Sequence, residues 1–272
     1  MHNLMLGKDV VQKLRSQLEE KIKKAGKEIT LAILIVGDDA ASHVYKNRLV
    51  KLAEGMGIKT DVRILPQSSD DVAVLAVVEE LNNDDRIDGI LPMMPLPKHI
   101  DTDAVAQKIA IEKDVDCLNP INVGFVYMGK SPWAPCTPRA VMETLKFYEV
   151  DLTGKHVVIV GRSNVVGKPL ATLMLEQNAT VTVCHSKTKD LAKMTSQADV
   201  VVVAIGVPEF LQADMVKENA IIVDVGINQV GDKIVGDASE AALQKAASYT
   251  PVPGGIGGVS TMMVMQTLLR KY

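Results

Sequence analysis

The segment VVIVGRSNVVGKPL (157–170) reads as a strand, a glycine-containing turn and the start of a helix. Such a turn could hold a pyrophosphate. Phosphate oxygens accept hydrogen bonds from backbone N–H groups at a helix N-terminus, where the helix dipole also favours negative charge. The usual spacing of a dinucleotide turn is GxGxxG. Here Gly161 fills the first slot, Ser163 and Val166 fill the second and third, and Gly167 follows. An ordinary strand-to-helix turn would tolerate the same residues. The end of the next strand adds a second signal. An NAD site usually carries Asp or Glu there, to bind the ribose hydroxyls. This chain has CHSKTK (184–189), with no acid. Arg162, Ser186 and Lys187 could meet a 2′-phosphate, since cations and hydroxyls complement a dianion that an acid would repel. The pattern favours NADP over NAD, against the plainer reading of a solvated basic loop.

Composition limits what else the chain could be. It has 272 residues, 47% of them hydrophobic and 23% charged, which suits two domains with aliphatic cores and excludes wholesale disorder. Lys plus Arg is 30 against 33 Asp plus Glu, so no basic surplus argues for a nucleic-acid or membrane partner. Aromatics are only 3%, while methionines number 13. The three cysteines, Cys117, Cys136 and Cys184, are far apart and odd in number. They suggest neither a disulfide framework nor a metal site. The N-terminal stretch lacks an apolar signal segment, and no apolar run approaches the roughly 20 residues of a membrane span. The expectation is a cytoplasmic protein without a bound metal.

Apolar runs alternate with helical patterns along the chain. Asp9 is expected to cap a helix with Val10, Leu14, Leu18 and Ile22 on one face. Strands are expected at 29–37, 58–65 and 87–91, with helices at 41–54 and 70–81 between them. The stretch 98–137 is rich in turn formers and reads as irregular. Beyond a helix starting near Pro138, strands are expected at 156–161, 180–185, 200–206 and 220–226. Helices are expected at 165–177, 191–196 and 259–270, with a helical turn at 214–218. Strands separated by helices indicate an α/β architecture with a mostly parallel sheet in the second of two domains.

Seven segments, taken in order, resemble the FolD family of methylenetetrahydrofolate dehydrogenase/methenyltetrahydrofolate cyclohydrolases. They are VGDDAASHVY (36–45), DGILPMMPLP (88–97), KDVDCLNPINVG (113–124), PCTP (135–138), GRSNVVGKP (161–169), VDVGIN (223–228) and TPVPGGIGG (250–258). The resemblance spans nearly the whole chain. It implies a folate-binding catalytic domain at 1–137 plus 259–272 and a Rossmann-type NADP-binding domain at 138–258, with a cleft between them. It implies a homodimer acting on one-carbon derivatives of tetrahydrofolate. The cofactor-binding set is then Gly161, Arg162, Ser163, Gly167, His185, Ser186 and Ile227. Tyr45 would stack on the folate rings, Asp116 would bond the pterin amino group, and Pro253, Gly254 and Gly255 would close the folate side. Taken singly, Tyr45 could be a core residue, Asp116 a turn residue and VPGG a tight bend.

The chain departs from the family pattern where proton chemistry is done. The family's first helix usually reads Tyr, three residues, Lys, one residue, Lys, and the first Lys is catalytic. Here YKNRLVK (45–51) puts Leu49 in that slot, while Lys51 matches the second lysine. The family's supporting Gln falls on Met93, Cys117 stands where Gly is usual, and Gly258 where Pro is usual. At about 100° per residue, position 49 shares the face of Tyr45, whereas Lys46 and Lys51 lie about 100° and 240° round. Arg48 is nearer, but a guanidinium does not readily give up a proton. His43 is short and sits elsewhere on the helix.

Hydride transfer from the folate methylene carbon needs positioning rather than a base. Hydrolysis of the methenyl cation needs proton handling, which a placed acid/base accelerates about 10²–10⁴-fold. Three readings follow: an NADP-dependent dehydrogenase with a weakened or absent cyclohydrolase step, a fully bifunctional enzyme in which water or another side chain replaces the lysine, and a catalytically silent binding paralogue.

Overall fold

The computed structural model describes residues 3–130 and 133–272. The chain forms two compact units. One contains Arg15–Trp133 and Val264–Tyr272, the other Met1–Leu14 and Ala134–Met263. Residues 3–14 therefore lie with the second sheet, not with the unit that follows them in sequence.

The chain begins with β1 (Asn3–Leu4) and α1 (Gly7–Ala25). The expectation that Asp9 caps this helix is corrected: the helix opens at Gly7 and Asp9 sits in its first turn. The opening position admits only glycine, because a Cβ there would lie 2.1 Å from the Gly255 carbonyl oxygen. The Asp9 carboxylate accepts from the Tyr148 hydroxyl at 3.2 Å. Val10, Leu14 and Leu18 are buried as the spacing predicts, and Ile22 is half-buried.

Next come β2 (Thr30–Val36), α2 (Ala40–Glu54), β3 (Lys59–Leu65), α3 (Asp71–Asn83) and β4 (Gly89–Pro92). The three strands pair in parallel in the order β3-β2-β4. The middle strand is covered on both faces, which is why TLAILIV is an unbroken apolar run. Asp39 caps α2 by accepting from Ser42 N, and Asp70 caps α3 by accepting from Ala73 N. The stretch expected to be irregular contains two short helices, α4 (Thr102–Lys108) and α5 (Pro120–Tyr127). Asp101 caps the first; Asn119, followed by a proline at N1, caps the second.

The remaining elements are α6 (Cys136–Phe147), β5 (His156–Val160), α7 (Gly167–Glu176), β6 (Thr180–Cys184), α8 (Leu191–Thr195), β7 (Val200–Val203), β8 (Ile221–Asp224), β9 (Asn228–Val230), β10 (Lys233–Val235), α9 (Glu240–Lys245), β11 (Ser248–Tyr249) and α10 (Ile256–Leu268). The helical turn expected at 214–218 is a 3₁₀ turn at Ala213–Met215. The sheet order is β1-β11-β8-β7-β5-β6, with every pairing parallel. A separate antiparallel hairpin joins β9 to β10. From β5 the chain goes to β6 on one side and then to β7 on the other. The order therefore reverses between β5 and β7, and the carboxyl ends of that strand pair are where a doubly wound sheet opens a ligand crevice. Among the described residues, no helix is long and apolar enough to cross a membrane, and no group of three or more His, Cys, Asp or Glu could hold a metal ion.

Candidate active site

β5 ends at Val160, and the turn that follows is built on two glycines. Gly161 has φ +131°, and a Cβ on it would lie 2.5 Å from the Ala204 carbonyl oxygen. A Cβ on Gly167 would lie 2.1 Å from the Gly161 carbonyl oxygen. The α7 terminus thus starts hard against the turn, with the backbone approach a dinucleotide turn needs. Gly167, one residue beyond the third glycine slot that Val166 occupies, is what permits this approach. The Ser163 hydroxyl accepts from Val166 N at 3.1 Å, tying the turn to the helix start. Arg162, Ser163, Asn164 and Val165 are exposed around it.

Val160 pairs in register with Cys184 at the end of β6, and Gly161 N donates to the Cys184 carbonyl at 2.9 Å. Arg162 and Ser186 each stand two residues beyond this paired couple. His185 N donates to Thr188 Oγ1 at 2.9 Å, and Lys187 N donates to His185 Nδ1 at 3.1 Å. The second bond makes Nδ1 an acceptor, so the neutral ring carries its proton on Nε2. These bonds fold the loop into a tight turn with Ser186 and Lys187 exposed. Hydroxyl, ammonium and guanidinium groups without a carboxylate fit a 2′-phosphorylated ribose. Ile227, 65% exposed, follows β8 at the same edge of the sheet.

The other proposed folate-side residues divide between the units. Tyr45, Leu49, Met93 and Asp116 belong to the unit containing β2. Pro253, Gly254 and Gly255 belong to the unit containing the phosphate turn, where Gly254 O accepts from Gly7 N at 2.8 Å. Tyr45 is half-buried on α2, and Leu49, one turn on, is fully buried at 0% exposure. Met93 follows β4, donates its N–H to Leu34 O at 2.8 Å and is 4% exposed. Arg48 and Lys51 are exposed on α2, and Lys46 is half-buried. His43 Nε2 lies 3.2 Å from Gly37 O and donates to it, so that nitrogen is not a base.

The loop carrying Asp116 is fixed by residues that sequence reasoning passed over. Lys113 Nζ donates to the carbonyls of Leu81, Asn82 and Asp84 at 3.1, 2.7 and 2.8 Å, closing the end of α3. Burial pushes its pKa down from the ordinary lysine value. The Asp114 carboxylate accepts from Leu118 N, Asn119 N and Asn122 Nδ2, at 3.0, 2.9 and 2.8 Å. Cys117 has φ +55°, in the left-handed region that favours glycine. This accounts for a Gly-preferring slot there; a cysteine in it costs roughly 1–2 kcal/mol of backbone strain.

A parallel sheet with a glycine-built turn at its switch point, and a cationic turn at residues 185–189 that holds no carboxylate, defines a dinucleotide-binding domain of the dehydrogenase class. The chain belongs to the tetrahydrofolate dehydrogenase/cyclohydrolase family. The family's catalytic domain matches residues 5–116, and its NAD(P)-binding domain matches residues 135–272. The bifunctional protein FolD of Geotalea uraniireducens is 46% identical over 274 residues, covering 98% of each chain. The crystal structure of the bifunctional FolD from Campylobacter jejuni superposes with TM-score 0.96 at 44% identity, covering 99% of this chain and 98% of that one. The Trypanosoma brucei FolD complexed with NADP cofactor and inhibitor superposes with TM-score 0.94 at 34% identity, covering 99% and 98%.

Proposed function

We propose that the chain oxidises 5,10-methylenetetrahydrofolate to 5,10-methenyltetrahydrofolate with NADP, and that its hydrolysis of the product to 10-formyltetrahydrofolate is weak or absent. The observation that carries the second half is the burial of two apolar side chains, Leu49 and Met93, at the positions that the resemblance aligns with the family's Lys and Gln. NADP supplies a hydride acceptor at C4 of its nicotinamide. The chain's own part is placement. The N–H groups at the start of α7 bind the pyrophosphate, and Arg162, Ser186 and Lys187 bind the 2′-phosphate. Tyr45 lies along the folate rings, and the Asp116 carboxylate accepts from the pterin amino group. The methylene carbon loses hydrogen with its electron pair, a folate nitrogen lone pair fills the vacancy as a C=N⁺ bond, and no proton is released. No base is required.

Hydrolysis differs: the attacking water must lose a proton and a ring nitrogen must gain one. Leu49 can do neither, and Arg48 and Lys51 are turned to solvent. The resemblance also supports a homodimer with folate derivatives as its small-molecule partners, and the near-even charge balance gives no argument for a nucleic-acid or membrane partner.

The cofactor assignment is tested by Arg162→Ala. Losing one charge-assisted contact to the 2′-phosphate raises KM for NADP about tenfold, while KM for NAD stays within twofold. Equal changes for both cofactors in steady-state assays would contradict the role given to Arg162.

A further inference from the structure

Two buried carboxylates lie beneath the switch-point edge of the large sheet, and the phosphate turn uses neither. Asp237 is 0% exposed. Its Oδ2 accepts from Ile205 N at 2.7 Å and Gly206 N at 2.9 Å. Its Oδ1 accepts from Val207 N at 3.0 Å and Asn228 Nδ2 at 2.8 Å. Asp224, at the end of β8, holds Asp237 in turn. Its Oδ1 accepts from Asp237 N and Gly226 N at 3.0 and 2.9 Å, and its Oδ2 accepts from Ala238 N at 2.8 Å. A Cβ on Gly226 would lie 2.1 Å from Asp237 Oδ1, and one on Gly236 1.9 Å from Asp224 Oδ2. The backbone has been brought as close to both carboxylates as it can come.

The segments so held border the ligand crevice. Residues 205–207 follow Ala204, whose carbonyl packs on Gly161 of the phosphate turn. Asn228 follows Ile227, which is exposed at that edge. Three consecutive N–H groups converging on one buried side chain fix a loop more firmly than its own exposed residues, Gly206 and Val207, could. Burial also leaves Asp224 hard to ionise, with its pKa pushed up to about 6, so this supporting acid is kept at an energetic cost.

We propose that Asp237 is a positioning residue for the nicotinamide dinucleotide, clamping residues 205–207 and Ile227–Asn228 into the wall against which the cofactor lies. This rests on the NADP reading above. An amide in place of the carboxylate can accept on one side only; its NH₂ must face either the Ile205 and Gly206 donors or the Val207 and Asn228 donors. Half of the clamp is then lost.

The test is Asp237→Asn in the full chain, with NADP affinity followed by titration and turnover by NADPH absorbance. The expected result is a rise of about 10–100-fold in Kd and KM for NADP, the cost of leaving buried donors unmatched. KM for the folate should stay within twofold, and kcat should fall far less than KM rises. NADP affinity within twofold of wild type in a folded variant overturns the proposal, as does an equal loss in folate KM. Should the variant not fold, hydrogen exchange on the wild-type protein decides. The amides of Ile205, Gly206 and Val207 should be strongly protected without NADP, and exchange at unprotected rates overturns the clamp. Wild-type protein that fails to bind NADP would remove the cofactor reading itself, which is a separate result from either.

Discussion

Replacing Leu49 with Lys and Met93 with Gln together should create methenyltetrahydrofolate hydrolysis about 10²–10⁴-fold faster than the wild-type protein shows. Position 49 is on the Tyr45 face of α2 and fully buried. An amine placed there loses hydration, and its pKa falls toward neutrality, which suits a group that must both take and return a proton. The second substitution matters because a buried, unpartnered ammonium costs about 3–5 kcal/mol, which the Gln carbonyl would offset by accepting from it. Leu49→Lys alone should therefore be less stable than the pair and less active. Measured by decay of the methenyl absorbance, an unchanged rate in a folded double variant would show that the two slots are wrongly assigned.

Gly167→Ala should lower kcat/KM for NADP about 100-fold, the scale on which a displacement of about 1 Å in a binding group acts. The added methyl would sit 2.1 Å from the Gly161 oxygen, 2.6 Å from its carbonyl carbon and 2.9 Å from the Arg162 Cα. All three are backbone atoms, so no side chain can swing aside. Either the α7 terminus or the turn must move, and both are proposed above to hold the pyrophosphate. Gly124→Ala on α5 is the matched control, because nothing lies within 4 Å of its Cβ position. It should leave NADP kinetics unchanged and add about 0.5–1 kcal/mol of stability. Equal NADP kinetics for both variants would contradict the account of the turn.

How much of this was legible in the sequence depends on where the partners lie. The buried strands announced themselves because parallel strands covered on both faces are continuous apolar runs, as in Ile33–Ile35 and Val200–Val203. The phosphate turn was legible because glycine, strand and helix are adjacent in sequence. The helices α4 and α5 had readable caps in Asp101 and Asn119-Pro120, but the surrounding turn formers masked them. β1 and β11 have two residues each and exist only by pairing with their sheet neighbours, so no periodicity could reveal them. Asp9 looked like a cap, whereas the deciding contact for that helix is Gly7 under a loop almost 250 residues on. The Asp224 and Asp237 clamp was equally hidden, because most of its partners are backbone N–H groups, which carry no residue identity.

The most direct measurement gives the purified protein 5,10-methylenetetrahydrofolate and NADP and follows NADPH and the methenyl chromophore together. The account predicts that the two rise in equal amounts and that the methenyl species then decays no faster than in a protein-free control. Methenyl consumption above that control, or no NADPH at all, would contradict it.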